Sequence, residues 1–179
     1  MIIRQLDIAD LPRLREIDRS ERIRRIYRFR DGVMEYDEVD FEASRWSEEQ
    51  IREFIADLTP ELESGGVFLG ALDGDGPGGE TLAGVAVLGN HPLGERSDLL
   101  QLVFLHVSRP YRRRGVASAL MDVVCRLARE RGARGLYISA TESDSAVGFY
   151  TGRGARPIEQ VDPELFAREP DDIHLLLEL

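Results

Sequence analysis

The sequence has no lysine: all 23 of its basic side chains are arginine. A lysine general base and a lysine Schiff base are therefore excluded outright. The one cysteine, Cys125, leaves no partner for an intramolecular disulfide and no cysteine-based metal cluster, so it reads as a packed core thiol. No apolar run approaches the roughly 20 residues that span a bilayer, and the opening MIIRQLDIADLPRLRE acquires charge at once instead of forming a signal peptide. The expectation is a cytoplasmic protein with no membrane partner. Positive charge is in deficit as well. The net charge of −10 disfavours nucleic acid as a partner and suits a cationic substrate. No Walker A lysine and no dinucleotide G-x-G-x-x-G pattern follows a strand. Asp73-x-Asp75 resembles the start of a calcium loop but lacks the later oxygen ligands and the closing glutamate, so no metal is expected.

What is present fits one packed domain over residues 1–179, with a hairpin excursion near 27–41. Residues 1–8 read as a first strand, and Asp10 is placed to cap a helix beginning near Leu11-Pro12. The hairpin signal is two short aromatic and β-branched runs, 27–30 and 33–36, joined by Asp31-Gly32. Ser47-Glu48-Glu49-Gln50 is a capping box, and Ile51, Phe54, Ile55 and Leu58 supply the apolar face of a helix over 48–63. Strands are expected at 67–72, 81–88, 99–108, 136–141 and 172–179. The near-continuous apolar run at 99–108 suits a strand covered on both faces. Helices are expected over 114–131 and 145–154, so residues 99–141 make a β-α-β unit with a right-handed crossover.

The centre of the sequence is 99–132, where an apolar run meets Arg112-Arg113-Arg114-Gly115-Val116-Ala117 and an amphipathic helix follows. The first N–H groups of a helix lack intrahelical acceptors, and the helix dipole adds partial positive charge there. A phosphate uses both, Gly115 permits close backbone approach, and the arginines add charge.

The run Val107-Ser108-Arg109-Pro110-Tyr111-Arg112-Arg113-Arg114-Gly115-Val116-Ala117 resembles the acetyl-CoA signature Q/R-x-x-G-x-G/A of the GCN5-related N-acetyltransferases, with Arg112, Gly115 and Ala117 in register. A second motif of that family, N-x-x-A-x-x-F/L-Y-x-x-x-G-F, is matched by 143–155 at Ala146, Phe149, Tyr150 and Gly154. Ser143 stands where asparagine is usual, and Ala155 where an aromatic is usual. The resemblance implies a mixed α/β fold with a mostly antiparallel central sheet, a splayed parallel pair of strands at 99–108 and 136–141, and flanking helices.

It also implies an acetyl-CoA-dependent N-acetyltransferase acting on a small-molecule or peptide amine by direct attack on the thioester. The alternative on the same fold is a non-catalytic acyl-CoA-binding sensor or interaction module. The pantetheine arm would pair with backbone near Leu105, His106 and Val107, with Ser143 in the place of the asparagine contact. The N–H groups of Arg113, Arg114, Gly115, Val116 and Ala117 would bind the pyrophosphate, flanked by Arg109, Arg112 or Arg114. Tyr150 would be the general acid for the departing thiolate, because an ordinary phenol is protonated at neutral pH. His106 has the intrinsic pKa of a base near pH 7 and lies in the strand that lines the splay; Glu142 is a further candidate. His91 and His174 have no comparable claim, and alternation in the last strand is compatible with a solvent-facing His174. Acceptor recognition is assigned to the first helix, the 27–41 hairpin and the Asn90-His91 loop. Tyr36, Asp37, Glu38, Asp40, Glu42 and Trp46 offer carboxylates and rings to a cationic amine there. A homodimer is compatible with this reading.

Overall fold

The computed structural model describes residues 1–74, 79–94 and 96–179, so Asp75 of the calcium-like pattern and the middle of the turn at 73–79 lie outside the described residues. The strands form a mostly antiparallel sheet with one parallel pair, accompanied by helices and a separate two-stranded hairpin. The chain groups into two compact units: Met1–Glu21, Ser44–Asn90 and Leu102–Leu127 form the first, and Arg22–Ala43, His91–Gln101 and Ala128–Leu179 the second.

In the first unit, β1 (Ile2–Leu6), β4 (Val67–Asp73), β5 (Thr81–Leu88) and the body of β6 (Leu99–Val107) pair antiparallel in that order. The helix after β1 is a 3-10 helix over Ile8–Glu16, and it starts earlier than Asp10 indicates. Asp7 holds the cap position, and Asp10 instead accepts from the Asp7 N–H at 3.0 Å. Pro12 inside the segment has no N–H to close an i→i−4 bond, which disfavours the α form. Helix α1 (Glu48–Glu63) starts at the expected capping box: Gln50 N–H donates to Ser47 Oγ at 3.1 Å, and Ser47 N–H to Gln50 Oε1 at 3.0 Å. Leu11, Leu14, Ile51, Leu58, Phe68 and Val85 form the core between these elements.

Coverage on both faces belongs to β5, where Leu82 through Leu88 are buried, whereas β6 alternates between buried and half-buried positions. The pairing of β5 with β6 shifts register where Leu88 meets Leu102 and Val87 meets Phe104, leaving Val103 as the extra residue of a bulge. Beyond it, His106 faces Val85 and Val107 faces Gly84. A Cβ on Gly84 would stand 3.1 Å from both the His106 carbonyl and Val116 Cγ1, so this glycine lets α2 (Val116–Glu130) seat on β5.

In the second unit, β2 (Glu21–Arg30) and β3 (Val33–Ala43) extend further than the sequence signal and turn through Asp31 and Gly32, both with positive φ (51° and 77°). That is the primed turn an Asp-Gly hairpin favours. β7 (Gly135–Ala140) pairs antiparallel with β9 (Ile173–Glu178), and the short β8 (Arg156–Pro157) pairs with the other side of β9. α3 (Asp144–Gly152) is capped by Ser143, and α4 (Pro163–Arg168) by Asp162. His174 is only 5% exposed, which corrects the solvent-facing position that strand alternation allowed. Its partner strand supplies Tyr137, whose hydroxyl lies 2.8 Å from His174 Nδ1.

Candidate active site

The turn from β6 into α2 is built from a buried serine and a braced arginine. Ser108 N–H donates to the Ala83 carbonyl at 2.9 Å, while its Oγ accepts from Asp18 N–H at 2.9 Å. Arg109 N–H returns a bond to the Asp18 carbonyl at 2.7 Å. Asp18 is held below the usual carboxylate range by the Ser20 hydroxyl and, less strongly, by Arg45 at 3.2 Å. The Arg112 guanidinium donates to the carbonyls of Val107 (3.0 Å), Arg19 (2.9 Å) and Ser20 (3.2 Å), and reaches Glu21 Oε2 at 3.3 Å. These bonds tie the 18–21 segment to the end of β6.

Past Arg112 the backbone takes the shape of an anion cradle. Arg113 (φ 62°) and Gly115 (φ 81°) are both left-handed, and nothing lies within 4 Å of a Cβ placed on Gly115. The first α-helical bond runs from Ala119 N–H to the Gly115 carbonyl, so Val116, Ala117 and Ser118 present N–H groups without intrahelical acceptors. Arg113 and Arg114 are exposed at this end, and Arg114 stacks over Tyr111 at 5.7 Å. Alternating backbone conformation, a helix N-terminus and two exposed guanidinium groups are donors suited to a pyrophosphate.

His106 lies in a ring cluster. Its imidazole is 4.7 Å from Trp46 and 4.5 Å from Phe104, and Phe54 packs 5.1 Å from Trp46 and 5.2 Å from Phe104. Burial, with Arg19 and Arg112 adding repulsion, pushes the imidazolium pKa down to about 3. The ring is therefore neutral at pH 7 and weakly basic in the ligand-free chain.

In the second unit, Tyr150 lies on α3, 7% exposed, with Phe149 edge-on at 5.2 Å. Burial, and then the charge of Asp172, push its phenol up, so it keeps its proton at neutral pH. Ser143 Oγ accepts from Ala146 N–H at 3.3 Å, a capping bond that occupies the residue expected to meet the pantetheine arm. Two acidic residues of the hairpin are drawn into ion pairs: Asp37 with Arg28, and Asp40 with Arg22 at 2.5 Å. Tyr36 lies under Arg25 at 4.5 Å.

The sequence profile of the acetyltransferase (GNAT) family matches residues 26–155. The chain belongs to this family. Among curated proteins there is no match. Among solved structures, nourseothricin acetyltransferase has a TM-score of 0.66 at 20% identity, over 98% of this chain and 95% of that one. PaiA N-acetyltransferase from Thermoplasma acidophilum, in complex with coenzyme A, has a TM-score of 0.61 at 19% identity, over 99% and 98%. The ribosomal-protein-S18-alanine N-acetyltransferase of Escherichia coli has a TM-score of 0.59 at 17% identity, over 99% and 92%. Identities this low speak for the fold alone. The expected fold class, mixed α/β with a mostly antiparallel sheet and one parallel pair, is the one observed.

Acetyl-CoA is the cosubstrate of the acetyltransferase family to which the chain belongs. Within the first unit, the structure brings together the backbone of Arg113–Ala117 and the exposed Arg113 and Arg114, while Arg112 faces inward. Leu105 and Val107 lie opposite Ala86 and Gly84 on β5. Among the described residues there is no cluster of metal ligands and no helix long and apolar enough to cross a membrane. Sequence reasoning missed Asp172, whose carboxyl is pushed up to about 7 by burial and then by Glu169, Glu142 and Asp171. Nothing in the local pattern Pro170-Asp171-Asp172-Ile173 marks it, because the cause is burial by distant chain.

Proposed function

We propose that the chain is an acetyl-CoA-dependent N-acetyltransferase that moves the acetyl group to a primary amine of a small molecule or peptide by direct attack. The observation that carries this reading is the cradle at 113–117: two left-handed residues, open space over Gly115 and unpaired helix N–H groups. In this reading the cradle and the Arg113 and Arg114 side chains hold the pyrophosphate, and the backbone near Leu105, His106 and Val107 orients the pantetheine arm. Arg109 and Arg112 act from behind, by holding the turn in shape. The neutral amine forms the new C–N bond and the C–S bond breaks; the Tyr150 phenol gives its proton to the departing thiolate, and the surplus proton on the new amide nitrogen passes to the resulting phenolate, which restores the acid. A phenol held above its ordinary pKa is a reservoir for that proton at every pH where an amine is acetylated.

Release of free thiol from acetyl-CoA, measured across a set of small amines and short peptides, tests the reading. Amine-dependent thiol release is the expected result. Tight acetyl-CoA binding with no thiol release for any amine would instead indicate a sensor.

A further inference from the structure

In the first unit the 18–21 segment, the loop before α1 and the end of β6 meet through arginine bonds. Arg45 pairs with Asp18 at 3.2 Å, which brings the next residues in the chain, Trp46 and Arg19, into one corner. Arg112 donates to the carbonyls of Arg19 (2.9 Å) and Val107 (3.0 Å), and so ties Arg19 to the strand position after His106. The His106 ring in turn lies 4.7 Å from Trp46. Three separate ties thus gather Arg19, Trp46 and His106, and the charge of Arg19 is felt at the imidazole.

Charge pairing in this corner is incomplete. Asp18 is taken by Arg45, and Glu21 by Arg112 at 3.3 Å. Arg19 is half-buried, yet among the described residues its guanidinium has no ion pair, ring contact or hydrogen bond. A guanidinium is a planar donor fork matched to a carboxylate. The His106 imidazole likewise has ring contacts but no hydrogen bond among the described residues. Trp46 and Phe54 are half-buried as well, so the ring cluster is not closed over and leaves aromatic surface for a flat group. A cation without a counter-ion, beside open ring surface and an unused imidazole, fits a ligand that carries both an anionic group and a ring.

We infer that this corner takes the acceptor, and that the acceptor is an amino acid with an aromatic side chain, its carboxylate held by Arg19 and its ring by Trp46. The inference rests on the acetyl-transfer reading above and names a substrate class for it. In that reading the backbone of Leu105, His106 and Val107 orients the pantetheine arm, so a ligand beside His106 stands on the strand that carries the thioester. The neutral imidazole has one N–H, which adds a second donor for the carboxylate. The chain is acidic as a whole, which suits a cationic substrate, but the unpaired charge in this corner is positive. The carboxylate sets this class apart from simple amines, and the ring sets it apart from small amino acids.

The probes are phenylalanine and tryptophan, compared with phenethylamine and tryptamine, which lack the carboxylate, and with alanine, which lacks the ring. Binding is measured by calorimetry on the full chain, with and without saturating CoA, and transfer by thiol release from acetyl-CoA. The aromatic amino acids are expected to bind at least ~10-fold more tightly than either control, as for a charge-assisted carboxylate contact. Arg19→Gln should erase the advantage over phenethylamine, with the acetyl-CoA Kd kept within about twofold, and Arg19→Lys should restore part of it. Its Tm should hardly move, because Arg19 serves the fold through its carbonyl. Trp46→Leu should erase the advantage over alanine. Equal binding of phenylalanine and phenethylamine overturns the inference, as does an Arg19→Gln variant that weakens acetyl-CoA and spares phenylalanine. Phenylalanine that binds in the expected order but is never acetylated would remove the acetyl-transfer reading and keep the site. Transfer to other amines with no amino acid bound would do the reverse.

Discussion

The Nη2 of Arg112 donates to the backbone carbonyl of Arg19 at 2.9 Å, across a sequence gap that makes the arginine a strut. The first residue of the matched acetyl-CoA signature is thus occupied with its own chain, and in the proposed reading the phosphate-facing charge falls to its neighbours. Arg112→Ala should lower stability by about 1–3 kcal/mol, as for carbonyl groups stripped of a charged donor. That corresponds to roughly 2–4 °C in Tm per kcal/mol for a chain of this size. Thermal unfolding followed by circular dichroism checks it.

Arg113→Ala combined with Arg114→Ala should have the opposite signature. Both side chains are exposed, so Tm should hardly move, whereas acetyl-CoA affinity should fall about tenfold, as for charge-assisted phosphate contacts. The loss should be largest at low ionic strength, because exposed charges are screened. Calorimetric titration at two salt concentrations separates this from a folding defect.

Tyr150→Phe removes the proposed acid and keeps the ring. With the phenol buried against Phe149, the packing should survive, and kcat should drop by about 10²–10⁴, the range for a lost general acid. The acetyl-CoA Kd should be unchanged. Steady-state kinetics paired with a binding titration checks both.

Asp172 makes stability depend on pH. Its carboxyl is raised from 3.8 to about 7 in the folded chain, so the folded state holds the proton more tightly than the unfolded one. The stabilisation from that proton is present at low pH and is lost as pH rises through about 7. Asp172→Asn should therefore raise Tm near pH 8 and change it little near pH 4. Melting curves of both proteins across the pH range test this sign.

His106 should not titrate in the physiological window. With its pKa near 3, the imidazole signals in a heteronuclear NMR titration should stay at neutral values down to about pH 5, assigned by their loss in His106→Gln. A midpoint near the ordinary histidine value would contradict the ring-cluster account.

Features governed by local chemistry could be read from the sequence. The Ser47-Gln50 box starts α1 where its side chains close the two bonds, and Asp31-Gly32 turns the hairpin because both residues accept positive φ. Gly115 was legible for the same reason. The helix after β1 was misplaced because Asp7 and Asp10 compete for one cap, and only the bond from Asp7 N–H decides between them. What could not be read depends on burial and on partners distant in sequence. The inward turn of Arg112, the ring cluster around His106, the buried His174 and the raised Asp172 each arise where remote segments meet. The hairpin acids show the converse case: as sequence they resemble a cation site, yet Asp37 and Asp40 pair with arginines on the adjacent strand.

The central claim is chemical transfer of acetyl from the thioester to an amine. Its most direct test is incubation of the full chain with isotopically labelled acetyl-CoA and the amine set, followed by mass spectrometry of the small molecules. The account predicts a labelled N-acetyl product that forms in step with free CoA and is strongly reduced with Tyr150→Phe. Acetyl-CoA that binds yet remains intact with every amine would contradict it.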